Sequence, residues 1–230
     1  MRVLLLSAGY GKRMRPLTLT TPKCLIKVNN KTLLEMWLEK FSQLRVKNII
    51  INTHHLAEKI NNFVKKNFRE KVTLVYEPKL LGTAQTILKN YEKLKNDDCI
   101  IVHSDNYCED DLFDLIKTFN NKPKECLITM MVFKTKFPKT CGIVEKNKNN
   151  VLINFFEKVK DPPGNLANCA VYIFSKEMID VIKEKYSKSI DISKDIIPNL
   201  IGKINIYETK NIFYDIGTKK TLFQRENLEE

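Results

Sequence analysis

Residues 1–28 read MRVLLLSAGYGKRMRPLTLTTPKCLIKV. The apolar run at 3–6 is followed at once by small residues that include Gly9 and Gly11, and then by cations at positions 12, 13, 15 and 23. Such glycines let a backbone approach a ligand closely and present successive N–H groups to an anion. Cations just beyond the turn add charge that suits a polyphosphate. The stretch therefore predicts a β-strand that ends in a binding site for a nucleoside triphosphate.

The first half of the chain alternates strand and helix patterns four times. Strands are expected at residues 3–6, 46–52, 72–76 and 99–103, and helices after Thr32, from 56 to 68 and from 81 to about 94. This alternation is typical of an α/β fold, a Rossmann-like and mostly parallel sheet with helices on both faces. Ligands bind beyond the carboxyl ends of such strands. We therefore expect residues 7–12, residues 77–84 and Asp105 to meet at one edge.

The second half has the pattern of an antiparallel extension. Strands are expected at 126–134, 142–145, 151–157, 166–174, 204–207 and 213–214, and helices at 175–185, at 191–201 with an end or kink near Pro198, and after 215–218. We expect this half to extend the sheet and to form a lid over a second substrate. Because no linker or repeat interrupts the chain, we predict one domain over 1–230, with a nucleotide-binding half at 1–122 and an acceptor-binding half at 123–230.

The composition of the chain limits the classes of protein to which it can belong. The chain has 230 residues, 43% of them hydrophobic, which is enough for a large core and argues against disorder. The net charge of +12 comes from 33 lysines and only six arginines, without an arginine-rich tract, so it indicates a solvated surface rather than a nucleic-acid partner. No apolar run suits membrane insertion and no signal peptide is recognisable, so we expect a cytoplasmic protein. The six cysteines match no zinc pattern and are expected to be reduced core residues.

Two common nucleotide motifs are absent. The next glycine after Gly11 is Gly82, so the third glycine of a dinucleotide fingerprint is missing, and no P-loop pattern occurs. A G-x-G turn alone is a weak signal. It gains specificity here from the R-x-R-P-L-T stretch at 13–18 and the T-P-K stretch at 21–23.

With these motifs in place, the sequence resembles the sugar-1-phosphate nucleotidylyltransferases, the enzymes that make nucleotide-activated sugars. The resemblance is carried by blocks in family order, at residues 7–18, 22–23, 81–84, 104–105, 141–144, 156–158, 167–168 and 215–218. They cover essentially the whole chain. The chain length and the lack of a C-terminal repeat domain are similar to the compact bacterial members, and the resemblance implies a GT-A-like nucleotidyltransferase fold.

The resemblance also implies a reaction and a set of residues. An oxygen of the sugar 1-phosphate attacks the α-phosphorus of the NTP, pyrophosphate leaves, and the product serves surface glycan synthesis. Arg13, Lys23 and Asp105 are implied as catalytic residues, and Asp105 and Asp215 as ligands of Mg²⁺. The implied nucleotide-binding residues are Leu6, Ser7, Ala8, Gly9, Tyr10, Gly11, Lys12, Arg13, Lys23, Glu77, Gly82 and Thr83. The implied sugar-phosphate-binding residues are Gly142, Glu157, Lys158 and Asn168. A homodimer is compatible with the resemblance.

Four residues depart from the family pattern. Ser7 replaces Ala or Gly, Ser104 replaces Gly before Asp105, and Val159 replaces Pro after Glu-Lys. Gln85 stands where Gly or Ala usually follows Gly-Thr-Ala, beside the base, so its amide either selects a base or fills space. Three alternatives therefore stay open. They are a cytidylyltransferase acting on phosphocholine or another small non-sugar phosphate, a catalytically silent nucleotide-binding regulatory domain, and a basic nucleic-acid-binding protein.

Overall fold

The computed structural model describes residues 1–68, 72–217 and 222. Contacts between Cα atoms group the chain into two compact units. The first contains Met1–Leu80, Val102–Glu109 and Asn211–Glu230, and the second contains Leu81–Ile101 and Asp110–Lys210. A single domain with halves at 1–122 and 123–230 stays a prediction, and the helix expected after residues 215–218 lies outside the described residues.

Secondary structure is numbered along the chain. The strands are β1 (Arg2–Leu6), β2 (Lys27–Val28), β3 (Lys31–Thr32), β4 (Ile49–Thr53), β5 (Val72–Tyr76), β6 (Cys99–His103), β7 (Asn106–Cys108), β8 (Ile128–Lys134), β9 (Gly142–Lys146), β10 (Leu152–Glu157), β11 (Leu166–Phe174), β12 (Ile204–Glu208) and β13 (Phe213–Asp215). The α-helices are α1 (Leu17–Thr20), α2 (Leu33–Gln43), α3 (Ala57–Asn67), α4 (Thr83–Lys89), α5 (Tyr91–Leu94), α6 (Phe113–Asn120) and α7 (Lys176–Lys185). None of the helices in this described part of the chain is long and apolar enough to cross a bilayer.

The first unit is built on the expected parallel strands. β1 pairs in parallel with β4, Leu4 opposite Ile50, and β4 pairs in parallel with β5, while β6 lies on the other side of β1. The apolar runs of β1 and β4 are buried, as a strand covered on both faces requires. The order β6-β1-β4-β5 brings the chain after β1 between the ends of β6 and β4.

Local signals explain where the elements of this unit begin. Helix α2 begins at Leu33 because the Thr32 hydroxyl accepts a hydrogen bond from Glu35 N while the Glu35 carboxylate accepts one from Thr32 N, which is a capping box. The helix buries Trp37 and Phe41 as stacked rings, and the indole N–H of Trp37 donates to Asn106 O at 3.0 Å. The expectation that Trp37 belongs to the core is confirmed.

The second unit contains the antiparallel extension. β11 pairs antiparallel with β8 and β9, and β9 forms a hairpin with β10. β12 differs from its neighbours because it pairs in parallel with β8, Ile206 opposite Met130. The two strands are far apart along the chain, since β9, β10, β11 and α7 all lie between them.

Three helical segments of this unit differ in detail from the expectation. The helix expected from 81 to 94 is divided at Asn90 into α4 and α5. The segment expected at 191–201 is a π-helical turn, Ile192–Ile196, followed by a 3₁₀ turn that contains Pro198. Helix α6, with Leu115 and Phe119 buried, had no counterpart among the predicted helices.

Candidate active site

A cavity of about 240 Å³ opens at the C-terminal end of β1 in the first unit. Its walls come from the end of β1, from the glycine loop (residues 7–12) with Arg13, from the turn at 23–24 and from the residues that follow β6 and β13. The lining residues are Leu6, Ser7, Gly9, Gly11, Lys12, Arg13, Lys23, Cys24, Ser104, Asp105 and Gly217. Three cations and one carboxylate face this small space, so the cavity is suited to an anion.

The glycine loop is held in a shape that a larger residue would not allow. Gly11 has a φ of 60°, and a Cβ on it would lie 2.8 Å from Cγ2 of Thr18. The Thr18 hydroxyl donates to Gly11 O at 2.8 Å, which fastens the loop to α1. A side chain at position 11 would therefore push the loop away from the helix and deform the cavity wall.

Lys23 and Asp105 form an ion pair inside the cavity. Lys23 Nζ lies 2.5 Å from Asp105 Oδ2, with the side chains 11% and 29% exposed. Burial acts to raise the pKa of the Asp105 carboxyl, but the charge of Lys23, helped by His103, outweighs it and holds that pKa below its usual range. Asp105 is therefore an anion at neutral pH, able to bind a cation.

Cys24 also lines the cavity, yet its thiol is not a nucleophile. Burial, together with the nearby charge of Asp105, raises the pKa of Cys24 to about 12. Only a thiolate reacts readily, so this thiol acts as a small core side chain. Five of the six cysteines are buried, as expected for core thiols, whereas Cys141 is partly exposed.

One apolar cluster fixes the charged residues of the site. Each charged residue is followed within one to three positions by a buried member of this cluster. The cluster contains Met14, Ile26, Val28, Leu33, Tyr107, Ile216 and Leu222. Met14 follows Arg13, Ile26 lies three residues after Lys23, and Tyr107 lies two residues after Asp105. The packed side chains thus fix the backbone next to each of these charged residues.

The same cluster brings Asp215 to the site. β13 pairs antiparallel with β7, and the register places Asp215 opposite Asn106, the residue after Asp105. A Cβ built on the cavity residue Gly217 would lie 3.1 Å from Arg13 Nη2 and 3.1 Å from Asp215 Oδ1. Arg13, Lys23 and Asp105 thus lie at the cavity wall and Asp215 lies beside Gly217, while their catalytic and metal-binding roles stay predictions.

The donor set of this site fits a hard divalent cation. Carboxylate oxygens are the ligands that Mg²⁺ prefers, and it is usually bound through one or two carboxylates with water and substrate phosphates. Asp105 at the cavity wall and Asp215 beside Gly217 are the carboxylates that would hold such an ion, and their role as metal ligands stays a prediction. Among the residues that the structure describes, no group of three or more His, Cys, Asp or Glu side chains forms a cage of its own.

Glu77 lies at the expected edge, but its side chain is fully buried. Its Oε1 accepts a hydrogen bond from Asn52 Nδ2 at 2.9 Å, and Asn52 Oδ1 in turn accepts one from Ser7 N at 2.7 Å. Direct contact between Glu77 and a nucleotide stays a prediction that this burial does not favour. Asn52 was missed, although an amide directly after three isoleucines in a buried strand was the available signal.

The remaining predicted residues of the glycine loop have different surroundings. Ala8 is buried and lies outside the cavity wall. Tyr10 is partly exposed, and its hydroxyl lies 2.8 Å from Nε2 of His54. The nucleotide contacts expected for Ala8 and Tyr10 stay predictions.

Gly82 and Thr83 lie in the second unit, at the start of α4. Ala84 N donates to Ile190 O, the Thr83 hydroxyl accepts a hydrogen bond from Ile192 N at 2.8 Å, and a Cβ on Gly82 would lie 2.6 Å from Ile190 O. Gln85 Nε2 donates to the carbonyl oxygens of residues 187 and 189, at 2.9 and 2.7 Å. Of the two roles left open for the Gln85 amide, these contacts favour a structural one.

The expected sugar-phosphate residues lie on adjacent strands of the second unit. Glu157 is opposite Gly142 in the β9–β10 hairpin, and a Cβ on Gly142 would lie 2.6 Å from Glu157 Oε2. Lys158 has a φ of 52°, and its Nζ lies 2.8 Å from Glu157 Oε1. The absence of a side chain at position 142 thus leaves the room that the Glu157 carboxylate occupies.

Asn168 lies at an irregularity of β11. The pairing with β8 shifts between Asn168 and Tyr172, and Ala170 has a φ of 54°. Asn168 Nδ2 donates to the buried Tyr172 hydroxyl at 2.7 Å, and its Oδ1 accepts from Ala170 N. Bulges re-aim side chains. Tyr172 is a core residue, as expected, and sugar binding by Asn168 stays a prediction.

The sequence is similar to several curated proteins. It is 31% identical over 231 residues to a Sulfolobus acidocaldarius protein provisionally named a mannose-1-phosphate guanyltransferase, covering 98% of this chain and 62% of that protein. It is 29% identical over 226 residues to the Drosophila melanogaster mannose-1-phosphate guanylyltransferase catalytic subunit beta, covering 95% of this chain and 60% of that subunit. The chain thus spans about three fifths of the length of these relatives.

A solved structure and a family model complete the comparison. A Bacillus anthracis protein, provisionally named a glucose-1-phosphate thymidylyltransferase and crystallised with sucrose, superposes with a TM-score of 0.86 at 23% identity, over 99% of this chain and 94% of that one. This confirms the expected fold class. The family model described as nucleotidyl transferase matches residues 2–230. The chain belongs to the nucleotidyl transferase family.

Proposed function

We propose that this chain transfers a nucleotidyl group from an NTP to a sugar 1-phosphate, giving an NDP-sugar and pyrophosphate. The observation that carries the proposal is the Lys23–Asp105 ion pair in a cavity lined by Lys12 and Arg13. The names of the guanylyltransferase relatives favour GTP and mannose 1-phosphate as the first substrates to test.

The residues of the site suit this transfer. An oxygen of the sugar phosphate forms a bond to the α-phosphorus while the bond between that phosphorus and the bridging oxygen to the β-phosphate breaks, and pyrophosphate leaves with the electron pair. Such transfers depend on positioning and charge stabilisation more than on covalent catalysis. Lys23 and Arg13 neutralise the charge that accumulates on the phosphate oxygens, and the glycine loop offers N–H groups to the triphosphate.

We propose Mg²⁺ as the cofactor, held by Asp105 and Asp215. When bound, it would supply a Lewis acid for the phosphate oxygens. The support is the carboxylate pair beside the cations of the cavity.

The acceptor side is assigned to Gly142, Glu157, Lys158 and Asn168 in the second unit. The Glu157 carboxylate can accept hydrogen bonds from sugar hydroxyls, and the Asn168 amide can both accept and donate them. Lys158 carries the charge that suits the sugar phosphate. We further propose that the reaction is cytoplasmic and supplies surface glycan synthesis, in line with the sequence resemblance.

The decisive experiment is a substrate matrix. GTP, UTP, CTP, dTTP and ATP are each combined with mannose 1-phosphate, glucose 1-phosphate and phosphocholine, and pyrophosphate release is measured with and without Mg²⁺. We expect release with a sugar phosphate, only when Mg²⁺ is present. Turnover with phosphocholine alone would favour the cytidylyltransferase alternative, and nucleotide binding without any turnover would favour the silent domain.

A further inference from the structure

Four buried polar residues form a continuous hydrogen-bonded chain across the ends of four strands. Ser104 follows β6, Ser7 follows β1, Asn52 lies in β4 and Glu77 follows β5. These strands are neighbours in the order β6-β1-β4-β5, so each strand contributes one member. None of the four residues is more than 8% exposed. We call this set the strand-end chain.

Each bond of the strand-end chain has a defined direction. Asn52 Nδ2 donates to Glu77 Oε1 at 2.9 Å, and Ser7 N donates to Asn52 Oδ1 at 2.7 Å. The Ser104 hydroxyl donates to Leu6 O at 3.1 Å and lies 2.6 Å from the Ser7 hydroxyl. A hydroxyl has one hydrogen to donate. Because that of Ser104 goes to Leu6 O, the Ser7 hydroxyl donates to Ser104 Oγ.

Both hydrogen-bond donors of Ser7, the backbone N–H and the hydroxyl, are therefore satisfied within the protein. Its N–H is directed to Asn52 and its O–H to Ser104, so neither is left for a phosphate, although the residue lines the cavity. Within the glycine loop, only the backbone N–H groups that follow Ser7 can bind an anion. The role of Ser7 in the site is to fix the start of the glycine loop relative to the neighbouring strand ends.

At its Ser104 end, the strand-end chain is adjacent to the Lys23–Asp105 ion pair. Ser104 directly precedes Asp105, and Ser104 N also donates to Leu6 O, so two bonds fasten this residue to the end of β1. The next residue carries the carboxylate that contacts Lys23. A shift of Ser104 would move Asp105 relative to Lys23 and the glycine loop together. Hydrogen bonds in such a buried network are costly to leave unmade, which makes the arrangement stiff.

We infer that the Ser7–Ser104 hydrogen bond is a positioning device for Asp105, and that Glu77 supports the site through Asn52 rather than by touching the nucleotide. This inference rests on the proposed function, in which Asp105 binds the metal ion that the triphosphate shares. It assigns Ser7 and Ser104, the two serines that depart from the family pattern at neighbouring strand ends, to one shared interaction.

A double-mutant cycle tests the pair. Ser7→Ala, Ser104→Ala and the double variant are compared with the wild type, and Ser42→Ala, at an exposed serine of α2, is the matched control. We measure kcat, the KM for the NTP and the Mg²⁺ concentration for half-maximal rate, together with Tm. Loss of one hydrogen bond is expected to lower kcat about 3–10-fold and to raise the required Mg²⁺ in each single variant. The kcat of the double variant should be no lower than that of Ser104→Ala, because Ser104→Ala removes the shared bond as well as the bond to Leu6 O.

Two results would overturn the inference. One is a double variant whose loss of kcat equals the product of the two single losses. The other is a lowered Tm with unchanged kcat and unchanged Mg²⁺ requirement, which would show a purely structural bond. A wild type that releases no pyrophosphate with any substrate pair refutes the proposed function instead. In that case Mg²⁺-dependent binding of inorganic pyrophosphate to the same proteins, measured by calorimetry, decides whether the two serines are coupled.

Discussion

Lys23 is one of 33 lysines, and its surroundings distinguish it from the others. Its side chain is 11% exposed and contacts Asp105, whereas Lys27, four residues later on β2, is exposed. A lysine held at a cavity wall contributes a fixed charge without reorganisation when charge develops on a phosphate. A surface lysine contributes only a screened, mobile charge.

We therefore predict that Lys23→Ala lowers kcat by about 10²–10³-fold, the effect typical of removing one fixed stabilising group. Lys27→Ala should leave kcat within about twofold, since its charge is solvated. Steady-state pyrophosphate release with saturating substrates measures both. A raised KM with kcat unchanged in Lys23→Ala would show that the residue only binds substrate.

The position of Arg13, Lys23 and Asp105 around one cavity could be predicted from the family motifs that contain them. Asn52 and the pairing of Ser7 with Ser104 could not. The two serines are 97 positions apart, and their contact depends on which strands are neighbours and on where each strand ends. Residue types alone carry no such information, because a serine at a strand end forms many other hydrogen bonds equally well.

At the scale of elements, the start of α4 is fastened to the segment at residues 187–192. The backbone N–H of Ala84, the Thr83 hydroxyl and the Gln85 amide all bond to this segment. The loop that the family resemblance places at the nucleotide base is thus held by a second element of the same unit. The sequence predicted a helix that contains α4 but not this contact, since residues 187–190 lie between the helices expected at 175–185 and 191–201 and carry no pattern that identifies a partner.

Gln85→Leu should accordingly destabilise the protein without changing base preference. The amide donates two hydrogen bonds to partly exposed carbonyls, and losing them should cost about 1 kcal/mol, or about 2–4 °C in Tm. Gln43→Leu, at an exposed site of α2, is the control and should change Tm less. Thermal unfolding and the relative rates with the five NTPs are the measurements. A changed order of NTP preference would show that Gln85 reads the base.

At the scale of the whole molecule, periodicity predicted most of the strands, and β5, β6 and β11 have the predicted bounds. Continuous runs of branched residues between polar turns strongly favour a strand in such stretches. The parallel pairing of β12 with β8 and the grouping into two units were not predicted. Both depend on the path of long connections, which local patterns do not encode.

The charges of the whole molecule determine how it responds to acid. Several carboxyls have pKa values held below their usual range, Asp105 chiefly by Lys23 against the effect of burial, Asp195 by backbone N–H groups and Glu92 by Lys95. A carboxyl whose pKa is lower in the folded than in the unfolded state stabilises the fold at neutral pH, and this contribution is lost as the pH falls through the folded-state pKa. The chain also carries a net charge of +12 at pH 7, which acid increases further.

We predict that the free energy of unfolding is nearly constant from about pH 7 to 5 and falls steeply below about pH 4, where ordinary aspartates begin to bind protons. The variant Asp105→Asn isolates the contribution of the Asp105 charge to the free energy of unfolding. It should be less stable than the wild type at pH 7 by about 1.5–3 kcal/mol, the usual effect of a hydrogen bond to a charged group, and the gap should close as the pH falls towards 3. Urea unfolding at a series of pH values, followed by the fluorescence of the single tryptophan, Trp37, measures both curves. A gap that stays the same at every pH would mean that the Asp105 carboxylate does not stabilise the fold through its charge, and that Lys23 is held in place by packing alone.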